Sequence, residues 1–213
     1  MKNTIFLTDS IANLTDSDNK QEKLKIKTRR AVAYLLRALI LIMTIGLSIV
    51  ILSALGKVDV FQLDHLRLAM PFFIYVIFAQ AFVMFYFIGV SRLTLNIWNI
   101  LNTKENLSDL FDTPPEDLQP YIKKTRKFAQ DSNTFKRQTI PWTMLMLTLG
   151  TFAFLAGGAH DTGLIDKHVH SGLVYGFSAA VAIGFFRQWV YLGKAHIHLR
   201  KIKALYMISD QSM

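Results

Sequence analysis

Charge is absent from four long windows of this chain. No Asp, Glu, Lys or Arg occurs between Arg37 and Lys57, between Arg67 and Arg92, between Arg137 and Asp161, or between Lys167 and Arg187. A helix at a water-facing surface shows polar residues at every turn or so on its outer face, and these windows do not. At 1.5 Å per residue, roughly 20 apolar residues cross a hydrocarbon core of about 30 Å. The pattern predicts four transmembrane helices, over about 38–55, 68–90, 140–159 and 171–193. The fourth holds Arg187 near its inner end, where a long cationic side chain can snorkel to the interface. Pro71 falls in the first turn of the second span, where a missing N–H is harmless.

Two of these helices read as longer than a bilayer. The second runs on without a breaker through "SRLTLNIWNIL" to about Asn102, and the fourth through "KAHIHLRKIKALYM". Between them, the connector 91–139 turns from acidic to basic. Thr113-Pro114-Pro115-Glu116 has the form of a capping box with proline at the first helical position. After it, Leu118, Tyr121, Ile122, Thr125, Phe128 and Ala129 form one apolar stripe, with Lys123, Lys124, Arg126 and Lys127 largely opposite. That stripe is expected to pack on the chain's own helical extensions; the membrane surface and a partner are the alternatives.

The expected fold class is an all-α integral membrane protein of two helical hairpins. Short turns close the hairpins outside, spans two and four extend into the cytoplasm, and an amphipathic cytoplasmic helix occupies the connector. Residues 1–37 form an N-terminal segment with a basic lead-in, residues 38–193 the transmembrane domain, and 194–213 a helical tail. The hairpins carry similar outer loops, "DVFQLDH" (Asp59–His65) and "DTGLIDKH" (Asp161–His168), as an internal duplication would leave.

Composition sharpens the topology. The net charge is +9, which would suit nucleic acid until the charges are placed. Lys and Arg number seven in 1–30, eight in 91–139 and five in 187–213, while the two outer connectors hold only Lys57, Arg67 and Lys167. By the positive-inside rule both termini and the central connector are cytoplasmic, as for a bacterial inner-membrane protein. Trp98, Trp142 and Trp189 fall at the same ends of their spans. The basic residues therefore read as contacts to anionic lipid headgroups, with no nucleic-acid role. The start lacks the long apolar stretch of a cleaved signal peptide, so the first span is expected to act as an uncleaved anchor. With no cysteine, disulfides, thiolate nucleophiles and iron–sulfur clusters are excluded.

Candidate chemistry gathers in "AGGAHDTGLIDKHVHSG" (Ala156–Gly172). Its His160, Asp161, His168 and His170, with His65 from the first loop, are expected at the outer face. Imidazole with carboxylate suits zinc, copper or iron, and in an extended segment His168 and His170 would point the same way. The spacing follows no standard ligand signature, and the same residues also serve as ordinary turn chemistry. None of the six histidines falls inside a span, which argues against haem held between helices.

Within the spans there is no Asp, Glu or Lys; Gln80 is the most central polar group, with hydroxyls at Thr148, Thr151 and Ser178. Ion-driven transporters commonly keep an ionisable group at that depth. Gly172, Gly176, Ala180 and Gly184 recur every fourth residue on one face of span four, a pattern that permits close helix packing in lipid. "TLGTFAFLAGG" in span three resembles the Gly-Thr-containing helix of ion-driven stator subunits of the flagellar and Tol–Exb type. The resemblance covers a dozen residues and implies an ion-conducting oligomer. No nucleophile–base set, P-loop or dinucleotide fingerprint appears, so no catalytic residue is assigned. The expectation is a non-enzymatic subunit of a homo-oligomer or of a complex with a partner membrane protein. A metal-binding protein or enzyme at the outer face is the alternative.

Overall fold

The computed structural model describes residue 32 and residues 34–57, 65–111 and 113–206. The basic lead-in helix, the loop motif from Asp59, the side chain of His65 and the end of the tail lie outside the described residues. Four helices make the fold: α1 (Tyr34–Ala54), α2 (His65–Thr103), α3 (Gln119–Asp161) and α4 (Lys167–Tyr206). All four are long and apolar enough to cross a membrane, and no strand occurs among the described residues.

The largest departure from expectation is α3. The connector helix and the third span are one helix of 43 residues, about 65 Å long. Charge marks where a helix leaves lipid, not where it stops, and nothing in "FAQDSNTFKRQTIP" ends it. Its buried row Thr125, Ser132, Thr139, Thr143, Met146, Gly150, Ala153 crosses the charge boundary without a break. Three helices, rather than two, therefore run past the apolar windows.

Pro141 sits inside α3 and removes one backbone N–H, so carbonyls in the turn before it must find other donors. The carbonyl that loses its donor is that of Arg137; in the same turn the Arg187 guanidinium of α4 donates to the neighbouring Gln138 carbonyl, at 3.2 Å from Nη2, and to the Gln138 side-chain oxygen. Its other face covers the Trp142 ring at 5.4 Å. Arg187 thus hooks α4 onto α3 beside the proline. Pro71 is also interior, because α2 begins at His65 rather than at the edge of the apolar window. The capping box does not form either. A residue before proline disfavours the α region, so Thr113-Pro114-Pro115 stays non-helical. The helix opens instead at Gln119, whose N–H donates to Asp117 Oδ1 at 2.9 Å.

At the opposite, loop end, α1 and α3 finish alike. Gly56 (φ +64°) and Gly163 (φ +75°) take the left-handed conformation. The N–H groups of Gly56 and Lys57 reach back to Ser53 and Leu52, and those of Gly163 and Leu164 to His160 and Ala159. This double bond pattern satisfies the last helical carbonyls and needs a residue free to adopt positive φ.

Three clusters fill the bundle from end to end. Near the loop end, Met43, Leu47, Val76, Met146, Ala153 and Phe177 join all four helices. The middle holds Leu36, Ile40, Val83, Phe87, Leu192 and Ala195. Toward the basic end, Ile97, Leu101, Ile202 and Tyr206 are covered by the connector's Leu107, Leu110 and Phe111 and by the stripe Leu118, Tyr121, Ile122 and Phe128. The chain itself occupies the connector's apolar face, and a hydroxyl pair, Thr125 with Tyr206, closes that end. Outward from the bundle point Phe78, Phe82, Phe85, Phe152, Leu155 and Phe186, all exposed. In water such a belt would be an aggregation surface, while a lipid solvent matches it.

Where α3 and α4 pack together, a glycine of each faces a large side chain of the other. A Cβ on Gly184 would lie 2.7 Å from Met146 Sδ, and one on Gly150 would lie 3.1 Å from the Phe177 ring. At Gly172 and Gly176 a Cβ would meet nothing. Gly184→Leu should therefore cost about 1–3 kcal/mol by overpacking, while Gly176→Leu should stay within about 0.5 kcal/mol for the isolated protomer. Unfolding midpoints of the two variants in detergent check this; equal losses would contradict the packing described.

Candidate functional site at the centre of the bundle

Each helix contributes one polar or sulfur-bearing side chain to a single buried centre. Met43 comes from α1, Gln80 from α2, Thr143 from α3 and Gln188 from α4, and all four are fully buried, at 0% exposure. Gln188 Nε2 donates both of its hydrogens, to Gln80 Oε1 at 2.7 Å and to Thr143 Oγ1 at 3.1 Å. Gln80 Nε2 donates to Met43 Sδ at 3.0 Å, and the Thr143 hydroxyl passes the chain on to the Thr139 carbonyl at 3.2 Å. One acceptor, Gln188 Oε1, is buried with no hydrogen-bond partner among the described residues.

Local sequence explains why these groups converge. Gly184, Gln188, Leu192 and Ala195 continue one buried row along α4, so Gln188 inherits the inward direction of the small-residue ladder. Thr143 lies one turn from Met146 on the buried row of α3. The central position of Gln80 is plain in the sequence, whereas Gln188, Thr143 and Met43 are not. Gln188 follows an arginine and looks interfacial unless the ladder is extended by one more step of four.

Every group in the centre is neutral. Amides and hydroxyls do not titrate in the working range of a proton relay, and one spare carbonyl oxygen is far below the roughly six that a hard cation takes. What the centre can do is fix register. Helices in lipid gain little from apolar contact, and an interhelical hydrogen bond there contributes about 0.6–1.7 kcal/mol. A buried amide left unmatched costs about 1–3 kcal/mol, which penalises any slide or rotation that separates Gln80 from Gln188.

The other polar candidates stay apart from this centre. Thr151 and Ser178 each donate to the carbonyl four residues earlier, at 2.8 and 2.7 Å, and Thr148 faces outward. Of the small-residue ladder, Ala180 and Gly184 are buried, while Gly172 and Gly176 lie on the exposed side.

At the loop end, the His160 and His170 rings stack with centroids 6.2 Å apart, and the His170 ring packs where a Cβ on Gly157 would be. His160 Nδ1 lies 3.3 Å from the Ile165 carbonyl. Asp166 Oδ1 accepts the His168 N–H at 2.6 Å, starting α4. The segment is thus helical from Lys167 rather than extended, and His168 and His170 diverge by about 200° around the helix instead of pointing together. Among the described residues no three of His, Asp and Glu come together as a metal would require. Beside the histidines, a cavity of about 110 Å³ opens between the helices; its lining, including Leu47, Ile51, Phe72, Phe154 and Phe177, is apolar except for His170 and Asp161.

Toward the basic end, His198 is buried against the edges of Phe128 and Phe135, and its Nε2–H donates to the Phe128 carbonyl at 2.9 Å. Burial holds its pKa below the ordinary 6.5; the Phe128 hydrogen bond and Asp131 pull it back up, and Lys201 pushes it down. Comparison with protein-family models, with curated proteins and with solved structures gives no match.

Two outcomes follow. Gln80→Leu should lose about 1–3 kcal/mol, because it orphans the Gln188 amide. The double variant with Gln188→Leu should lose less than the sum of the single variants, by on the order of 1 kcal/mol. Additive losses in a double-mutant cycle would show that the two amides are not coupled. For His198, the native state binds a proton less readily than the unfolded chain, so stability is full above the unfolded pKa of about 6.5 and falls as pH drops through it. The unfolding midpoint should decline between pH 7 and pH 5, and His198→Gln, which keeps a donor toward Phe128 without titrating, should flatten that decline.

Proposed function

We propose that this protein is a non-enzymatic integral membrane subunit of two helical hairpins, with both termini in the cytoplasm of a bacterial cell and its three long helices extended to that side. It assembles with copies of itself or with a partner membrane protein. The observation that carries the reading is the division of the small-residue ladder. Ala180 and Gly184 are taken up by the chain's own packing, while a Cβ on Gly172 or Gly176 would meet open space. Small residues on an outward helix face let another helix approach closely in lipid. The neutral, fully enclosed polar centre suits a scaffold better than a conduit, since nothing in it carries charge.

The test separates fold from assembly. Gly172→Leu combined with Gly176→Leu should leave the protomer's unfolding midpoint unchanged and reduce the assembly to single protomers, read by native mass measurement in mild detergent. A wild-type protein that is already a lone protomer, or a variant of unchanged assembly mass, overturns the reading.

A further inference from the structure

Below the polar centre, on one side of the bundle, α2 and α3 enclose a groove of about 330 Å³. That is large enough for a small polar ligand. Its α2 wall presents Ser91 and Trp98, and its α3 wall presents Arg126, Gln130, Asn133 and Lys136. Two of these residues are cationic, and no carboxylate lines the groove. Lys136 is half-buried, so its charge acts through a medium less screening than water. The indole N–H of Trp98 is buried and has no hydrogen-bond partner among the described residues. A buried donor without an acceptor carries a desolvation cost that an oxygen-rich ligand would relieve. The polar side chains offer donors at every level: an ammonium, two amides, an indole N–H and a guanidinium.

Position narrows the ligand. Read as a membrane protein, the chain leaves the hydrocarbon near Val90 on α2 and near Ile140 on α3. Ser91 and Lys136 then sit at headgroup depth, while Trp98, Gln130 and Arg126 lie one to several turns farther out. We propose that this groove binds the headgroup of an anionic phospholipid. Lys136 takes the phosphate at the membrane surface, Asn133, Gln130 and Trp98 take the headgroup's outer oxygens, and Arg126 at the groove's far end adds to the field that attracts the anion. The proposal rests on the membrane reading above but not on assembly.

The full chain, purified in mild detergent, is examined by native mass spectrometry with added phosphatidylglycerol, phosphatidylcholine or inorganic phosphate. Phosphatidylglycerol should be retained over phosphatidylcholine. Lys136→Gln and Arg126→Gln should each weaken that preference about fivefold, without changing the unfolding midpoint measured free of lipid. Trp98→Phe, which keeps the ring and removes the donor, should weaken it as well. Equal retention of both lipids overturns the proposal, as does an unchanged preference in the Lys136→Gln/Arg126→Gln double variant. So does retention of inorganic phosphate in place of lipid, which would make the groove a soluble-anion site, or a co-purifying peptide displaced by neither lipid. The same spectra report assembly mass, so loss of lipid preference and loss of assembly are read separately.

Discussion

The amide pair Gln80–Gln188 is the constraint on which the rest of the bundle depends. The helix α3 lies against both α2 and α4, whereas α2 and α4 meet over little of their length. Apolar burial gives helices in lipid little reason to prefer one register over another; the fit of Met146 on Gly184 and of Phe177 on Gly150 narrows the choice. A hydrogen bond of 2.7 Å in a fully buried setting admits only one. It also decides which faces are left over: with Gln188 inward, the α4 row through Gly184 must meet α3, and Gly172 and Gly176 must turn away.

A second device works where α3 is weakest. Proline inside a helix frees carbonyls, and lipid offers nothing to pair with them. Here the side chain of α4 that stands beside the central amide, Arg187, donates to the Gln138 carbonyl, next to the Arg137 carbonyl that the proline leaves without its donor. Adjacent residues of one helix thus divide two tasks. Gln188 fixes rotation from inside, and Arg187 clamps the proline turn of α3 from outside.

Much of this was legible in the sequence, and the losses have physical reasons. The four charge-free windows coincide with the four helices, the first running two residues past Ala54 into the turn, because exposed charge is costly on a lipid-facing helix. Helix ends read from the same signal fail, since charge reports the solvent and not the hydrogen-bond ladder. That is why α3 appears as two elements in the sequence and as one in the structure, and why Pro71 lies deeper in its helix than expected. Gln80 is conspicuous because it is alone among apolar residues. Its partner sits beside Arg187, where a polar side chain attracts no notice, and Met43 is a hydrogen-bond acceptor only by virtue of what faces it. The loop-end histidines show the converse error. Period-two spacing brings side chains together only in an extended chain, and here the backbone is already helical, with the His168 N–H on Asp166 Oδ1 and those of Val169 and His170 on its carbonyl.

The unbroken run of α3 has a mechanical meaning. Its loop-end half borders the apolar cavity beside His170, and its other half carries Arg126 and the basic-end core, with no hinge glycine between Gln119 and Leu149. The interruption in its hydrogen-bond ladder is at Pro141, two residues from Thr143, so the two halves of α3 meet where Thr143 is pinned to Gln188. A tilt of about 5° at that fulcrum displaces the far tip of a roughly 35 Å arm by about 3 Å. The Gln188–Thr143 hydrogen bond thus holds the point at which such a change of direction would act on the rest of the bundle.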